Sequence, residues 1–292
     1  MGTKPQQLQP TVERREQGRF AGRQPSLRSA VGATSAGVWE ERLAALQREH
    51  NELCQAIFAA AQVQRNLCAP REVRRGRFQI AGEIFPVRYL SGDFYQVLDL
   101  GATTGLAVGD IAGKGLTAGL WLAHLVGLVR THLGSAVDLS EAVSAINEEL
   151  WGMQPETPMV ALFLARLDQQ SGELIYSNAG QPAPVVLPTN GRVESLEAGG
   201  PLLGAVPGAT FASGRVFLGP GDTLVCYSDG IVECRNDQGE EFGAERLIAA
   251  SRSAGFPSAA NMLFSMLGAA QDFAGSCPRE DDLTLVVVCR PE

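Results

Sequence analysis

Two aspartates stand at the ends of two short apolar runs. Asp93 opens Asp93-Phe94-Tyr95-Gln96-Val97-Leu98, and Asp110 closes Thr104-Gly105-Leu106-Ala107-Val108-Gly109-Asp110. Asp99, Gly101 and Gly105 are turn residues, so the spacing predicts a hairpin that sets both carboxylates side by side. Two further acidic points occupy strand edges: Asp229-Gly230 directly follows the run Asp222 to Ser228, and Asp281-Asp282 directly precedes Leu283 to Cys289. An isolated Asp-Gly pair is usually a strand end facing water. Four strand-edge aspartates, Asp93, Asp110, Asp229 and Asp281, point instead to one acidic centre at the end of a sheet sandwich. Buried together without counter-ions they repel, and one of them takes up a proton. Hard divalent cations bound through oxygen relieve that repulsion. A pair of such ions activates a water and clamps an in-line displacement at phosphorus.

No protein nucleophile competes with that chemistry. There is no Gly-x-Ser-x-Gly elbow and no serine or cysteine with an obvious histidine base. The turn Gly113-Lys114-Gly115 does not complete a P-loop pattern, so Lys114 is read as shaping the turn and the local field. His124 and His132 fall on or at the end of a buried helix and are not expected to be ligands.

The elements that must position these residues are legible in outline. Residues 1–38 carry six basic residues against two acidic ones among Gln, Gly, Pro and Ser, a composition that reads as a disordered leader. Residues 39–68 form a helix by composition, with Leu43, Leu46, His50, Leu53, Ile57, Ala60, Gln64 and Leu67 alternately three and four apart. That seam fits either an amphipathic helix packed on its own domain or a homodimeric coiled coil, with His50 and Gln64 interrupting its apolar face. Pro70 and the basic cluster Arg71, Arg74, Arg75 and Arg77 end it. Residues 69–292 then alternate strands with helices. Strands are expected at Phe78 to Phe85, at the two Asp-bearing runs, at Val160 to Leu167, Glu173 to Asn178, Ala183 to Leu187, Ala209 to Phe217, Asp222 to Tyr227 and Leu283 to Cys289. Helices are expected from Leu116 to His132, from a capping box at Asp138 and Glu141, and from Ala244 to Phe273. Consecutive hairpins imply antiparallel sheets, hence an α+β fold.

A net charge of −8 and a pI near 5.1 argue against general nucleic-acid binding. The six cysteines include no C-x-x-C pair and only three histidines are present, so a zinc site is not expected. The thiols read as reduced and the protein as cytoplasmic, with no signal peptide at Met1 to Pro10. The longest apolar run, Gly115 to Val129, is too short to span a bilayer.

Six motifs follow in an order that resembles one family: Ser91-Gly92-Asp93-Phe94-Tyr95, Gly109-Asp110-Ile111-Ala112-Gly113-Lys114-Gly115, Asn178-Ala179-Gly180-Gln181-Pro182, Gly200-Pro201-Leu202-Leu203-Gly204, Pro220-Gly221-Asp222-Thr223-Leu224 with Ser228-Asp229-Gly230, and Asp281-Asp282-Leu283-Thr284. Together they resemble the SpoIIE-type branch of the metal-dependent (PPM) serine/threonine protein phosphatases, over roughly residues 70 to 292. The resemblance implies a four-layer α-β-β-α sandwich with two Mn²⁺ or Mg²⁺ ions between the sheets. It implies that Asp110 bridges both ions, that Asp93 and the carbonyl of Ile111 serve one, and that Asp229 and Asp281 serve the other, Asp282 being the lesser candidate of its pair. It further implies a bacterial signalling role, with a phosphorylated anti-sigma-factor antagonist as substrate. Regulation is expected to act through the helix of residues 39–68, its signal coming from a separate partner, from dimerisation or from the leader. The chain departs from the pattern at Gln181, where most relatives have histidine, at Gln96, where many have aspartate, and at Ala112, where larger eukaryotic relatives have histidine. These departures leave the leaving-group acid unassigned. A phosphatase-fold binding module and a two-metal hydrolase of small phosphoesters stay open as alternatives.

Overall fold

A computed structural model describes residues 35–136, 138–153, 157–253 and 258–291. The leader expected over residues 1–38 lies outside the described residues as far as residue 34. Contacts divide the chain into two compact units, Met1–Asn51 and Glu52–Glu292. Helix α1 spans Ser35–Leu67. In the first unit its apolar residues Trp39, Leu43 and Leu46 are exposed. In the second unit Cys54, Ile57 and Ala60 are half-buried and Ala61 and Gln64 are buried, a stripe three and four residues apart that marks the face packed on the domain.

The second unit is built on two sheets. The first has the order β1 (Glu72–Arg75), β2 (Phe78–Phe85), β12 (Leu283–Cys289), β11 (Thr223–Tyr227), β7 (Val185–Leu187) and β8 (Glu194–Ser195). The second has the order β10 (Gly214–Phe217), β6 (Glu173–Ala179), β5 (Val160–Asp168), β4 (Thr103–Ile111) and β3 (Phe94–Leu100), with the two-residue β9 (Gly199–Gly200) parallel to β6. All other pairings are antiparallel.

Three apolar layers follow from the two-residue period of these strands. Leu106, Val108, Phe163, Tyr176, Cys226, Val286 and Val288 interdigitate between the sheets. Ala107, Leu162 and Leu164 point the other way, onto α2 (Leu116–Ser135) and α3 (Leu139–Gly152). Val225, Leu285 and Val287 point onto α5 (Gly243–Ser253) and α6 (Ala259–Ala274). β12 is buried on both faces, which explains its nearly continuous run of apolar residues, interrupted only at Thr284. The result is the expected α-β-β-α sandwich.

Several local readings change. The Arg-rich segment after the helix is not merely a terminator: Glu72–Arg75 pairs with β2 as an edge strand, with Gly76 at φ +52 in the turn. The strand expected from Ala209 is regular only over Gly214–Phe217. The helical stretch from Ala244 to Phe273 is two helices, because Ser258 caps the second by accepting from the Asn261 N–H at 3.1 Å. Asp138 caps α3 through the Ser140 N–H at 3.0 Å, one position earlier than a capping box places it.

Gly109 sits opposite Phe94 in the β3–β4 register. A Cβ there would lie 2.4 Å from the Phe94 ring and 3.0 Å from the Ala161 carbonyl oxygen, so the fully buried ring rests on bare backbone. Gly109→Ala is therefore expected to overpack the sandwich beside Asp110 and cost about 1–3 kcal/mol. In urea unfolding this reads as a lower midpoint with an unchanged slope.

Candidate metal centre

The hairpin places the first two aspartates. Phe94 pairs with Gly109, and the Ile111 N–H donates to the Gly92 carbonyl at 3.3 Å. The intervening step of the same register sets Asp93 opposite Asp110. Both continue the face of Tyr95, Leu106 and Val108, so their side chains enter the space between the sheets. Gly92 makes room for them: a Cβ there would lie 2.7 Å from the Ile111 carbonyl oxygen and 3.0 Å from Asp110 Oδ1. Only glycine lets this loop, that carbonyl and that carboxylate share one corner.

The other sheet supplies the remaining acids. Asp229 opens the single-turn helix α4 (Asp229–Val232), a turn the sequence reading took as a simple strand end, and its Oδ1 accepts from the Gly230 N–H at 2.7 Å. The strand ends are locked together, the Ser228 N–H donating to the Thr284 carbonyl at 2.9 Å and the Thr284 N–H to Ser228 Oγ at 2.9 Å. Asp281 Oδ1 accepts from the Asp282 N–H at 2.9 Å and lies 3.0 Å from Lys114 Nζ. Lys114 also donates to the Glu280 carbonyl at 2.8 Å.

Electrostatics expose the tension in this arrangement. Burial, followed by the charge of Asp110, pushes Asp93 well above the usual carboxylate range, against the Thr284 hydroxyl that donates to its Oδ2. Burial, followed by the charge of Asp229, pushes Asp110 up to about 6, with Asp281 and Asp282 adding to the effect. Both members of the pair are thus held above the usual range, because burial and the surrounding carboxylates disfavour their charged forms. Asp110 feels all three of the other predicted aspartates. Among the described residues, no three His, Cys, Asp or Glu side chains converge closely enough to hold one ion. Asp281 is half exposed and engaged by the Lys114 ammonium. The donor set, carboxylates with the Ile111 carbonyl beside them, is all oxygen and strongly negative, which suits Mn²⁺ or Mg²⁺.

The glutamines at two departures from the family pattern, Gln181 and Gln96, have structural partners. Gln181 donates its backbone N–H to Asn178 Oδ1 at 2.9 Å and its Nε2 to the carbonyl of Ala161, the strand partner of Asp110, at 3.3 Å. Gln96 Nε2 donates to the Leu67 carbonyl at the end of α1, while Arg130 Nε donates to Gln96 Oε1 at 3.1 Å. Gln64, read as an interruption of the helix seam, is buried and pairs with both backbone groups of Ser91, at 2.9 and 3.0 Å. His132 pairs with Glu149 at 2.6 Å.

The SpoIIE family model, described as Stage II sporulation protein E, matches residues 101–291. Protein IcfG of Synechocystis sp. (strain ATCC 27184 / PCC 6803 / Kazusa) is 26% identical over 257 residues, covering 78% of this chain, which itself spans only 40% of that relative. Phosphoserine phosphatase RsbU of Bacillus subtilis (strain 168) is 24% identical over 242 residues, covering 82% of this chain and 71% of its own. Among solved structures, the SiaA-PP2C domain of Pseudomonas aeruginosa superposes with a TM-score of 0.70 at 18% identity, over 84% of this chain and 99% of that one, and shares the fold. The chain belongs to the SpoIIE family, a branch of the metal-dependent PPM protein phosphatases.

Proposed function

We propose that this chain is a metal-dependent serine/threonine phosphoprotein phosphatase. Asp110 would bridge two Mn²⁺ or Mg²⁺ ions, with Asp93 and the Ile111 carbonyl on one and Asp229 and Asp281 on the other. What carries the reading is the buried, facing Asp93–Asp110 pair with the Ile111 carbonyl beside it, two carboxylates that burial and neighbouring negative charge push above the usual range and that divalent cations would relieve. Bound ions would supply Lewis acidity and an activated water at phosphorus. The chain's own residues hold the acids in place. Thr284 fixes Asp93, the Ser228–Thr284 bonds fix the strand ends from which Asp229 and Asp281 project, and the hairpin register fixes Asp110. The similarity to a phosphoserine phosphatase, together with the family's motifs, supports a phosphorylated anti-sigma-factor antagonist as substrate.

Regulation is proposed to enter through α1 from a separate activator. Gln64 holds both backbone groups of Ser91, so rotation of the helix is felt two residues before Asp93. Gln64→Ala is expected to change turnover per bound ion; identical turnover would remove the helix from this role.

A second reading is a non-catalytic binding module. The ion pair between Lys114 and Asp281 favours it, because a cation already occupies one proposed ligand. Hydrolysis of an aryl phosphate separates the two. Turnover is expected with Mn²⁺ and is expected to fall to the chelator background in Asp110→Asn. Calorimetry showing no Mn²⁺ binding at all would leave only the binding module.

Proton linkage provides a check that needs no substrate. Asp110 titrates near 6 in the metal-free fold against an ordinary value of 3.8, and Asp93 is shifted the same way. Between 3.8 and about 6 the folded state keeps the Asp110 proton that the unfolded chain releases, so stability falls as pH rises through this window, and the raised Asp93 adds a loss in the same direction. In chelator at pH 7.5, Asp110→Asn should therefore melt above the native protein, and the gap should narrow at pH 5. Saturating Mn²⁺ should reverse the order. A variant that melts below the native protein in chelator at pH 7.5 would show that the buried pair is not strained.

A further inference from the structure

The acidic pair Asp281-Asp282 divides its labour according to strand parity. Val286 and Val288 of β12 face the other sheet, and so do Thr284 and, one further step back, Asp282. Asp281 points away and is half exposed, whereas Asp282 is 9% exposed. The Asp282 carboxylate reaches across the gap between the sheets to the loop before β3. Its Oδ1 accepts from the Val87 N–H at 2.7 Å, and its Oδ2 accepts from Ser91 Oγ at 2.6 Å and the Gly92 N–H at 3.2 Å. The Ser91 hydroxyl oxygen in turn accepts from the Asp93 N–H at 3.0 Å. A buried carboxylate supplied with three donors is well compensated, and these charge-assisted bonds are the strong kind.

We infer that Asp282 is a positioning residue for Asp93: with Ser91 it forms a clamp between the two sheets that holds the Ser91-Gly92-Asp93 loop against Asp110. The clamp ties residues 191 positions apart in the chain. It acts on the same loop that Gln64 holds from the helix, but from the opposite side and through the side chain of Ser91 rather than its backbone. Asp282 needs to be an acid for this. All its partners are donors, and an amide would turn its own NH₂ group against either Val87 or the Ser91–Gly92 pair. In its bearing on metal the inference rests on the reading of Asp93 as a ligand; as a statement about the loop it does not.

The test uses Ser91→Ala, Asp282→Asn and the double variant of the full chain, with two measurements. In metal-free protein, amide hydrogen exchange across residues 87–93 should speed up at least about tenfold in each single variant, while β5 and β6 keep their native rates. By calorimetry, Mn²⁺ affinity should fall about 10–100-fold in each, the usual range when an outer partner of a ligand is lost. Removing the Asp282 charge also weakens cation binding through space, and Ser91→Ala isolates the clamp because it changes no charge. Clamping predicts that the double variant is little worse than Asp282→Asn alone. The inference is overturned if Ser91→Ala leaves both loop exchange and Mn²⁺ affinity unchanged, or if exchange rises uniformly over the whole domain. Should the native protein bind no Mn²⁺, the phosphatase reading fails while loop exchange still decides the clamp.

Discussion

Two carboxylates set opposite each other between two sheets cannot both stay charged in the metal-free fold, and the rest of the domain is arranged around that constraint. The hairpin register makes the encounter unavoidable, since Asp93 and Asp110 continue the inward faces of their strands. What resists their separation is the layer of packed side chains behind them. Phe163 and Tyr176 stack with ring centroids 5.8 Å apart, and Val286 and Val288 close the opposite sheet. A core of this density does not open to relieve two charges. The repulsion is therefore met at the carboxylates themselves, both of which are pushed toward holding a proton.

The acidic centre was legible because its signal is local. Each of the four aspartates abuts an apolar run of alternating or continuous strand character, and a strand end is the one place where chain order and position in space agree. The layers were legible for the same reason: a strand buried on both faces, such as Leu283–Cys289, reads as a nearly continuous apolar run, broken only by Thr284. The edge strand Glu72–Arg75 was not, because its outward residues are charged and its partner strand supplies the order. Nor was the one-turn helix at Asp229, which is too short to carry a period.

Gln64 and Gln96 show a different limit. An amide on an apolar helix face, or in a strand where aspartate is expected, reads as a flaw until its partners are known. Those partners, the backbone of Ser91 and the carbonyl of Leu67, lie 27 and 29 residues away. Nothing in the local pattern announces such a bond. Both amides tie the end of α1 to β3 or the loop before it, so the residues hardest to read are the ones that connect the helix to the centre.

Asp281 and Asp282 illustrate how one residue of register separates two fates. Facing inward, Asp282 finds backbone and hydroxyl donors and is fully engaged without a cation. Facing outward, Asp281 finds only the Asp282 N–H and the Lys114 ammonium, which is itself half exposed and held additionally by a single carbonyl. An exposed ion pair of this kind contributes little to stability. Among the acids, Asp281 is therefore the one whose present partner is most readily exchanged, whereas Asp93 and Asp110 are fixed by the fold. A cation arriving at this centre meets a rigid side formed by the hairpin and a yielding side guarded by Lys114. The Gly113-Lys114-Gly115 turn, with both glycines at positive φ and open space where their Cβ atoms would lie, gives that lysine a backbone free of side-chain obstruction.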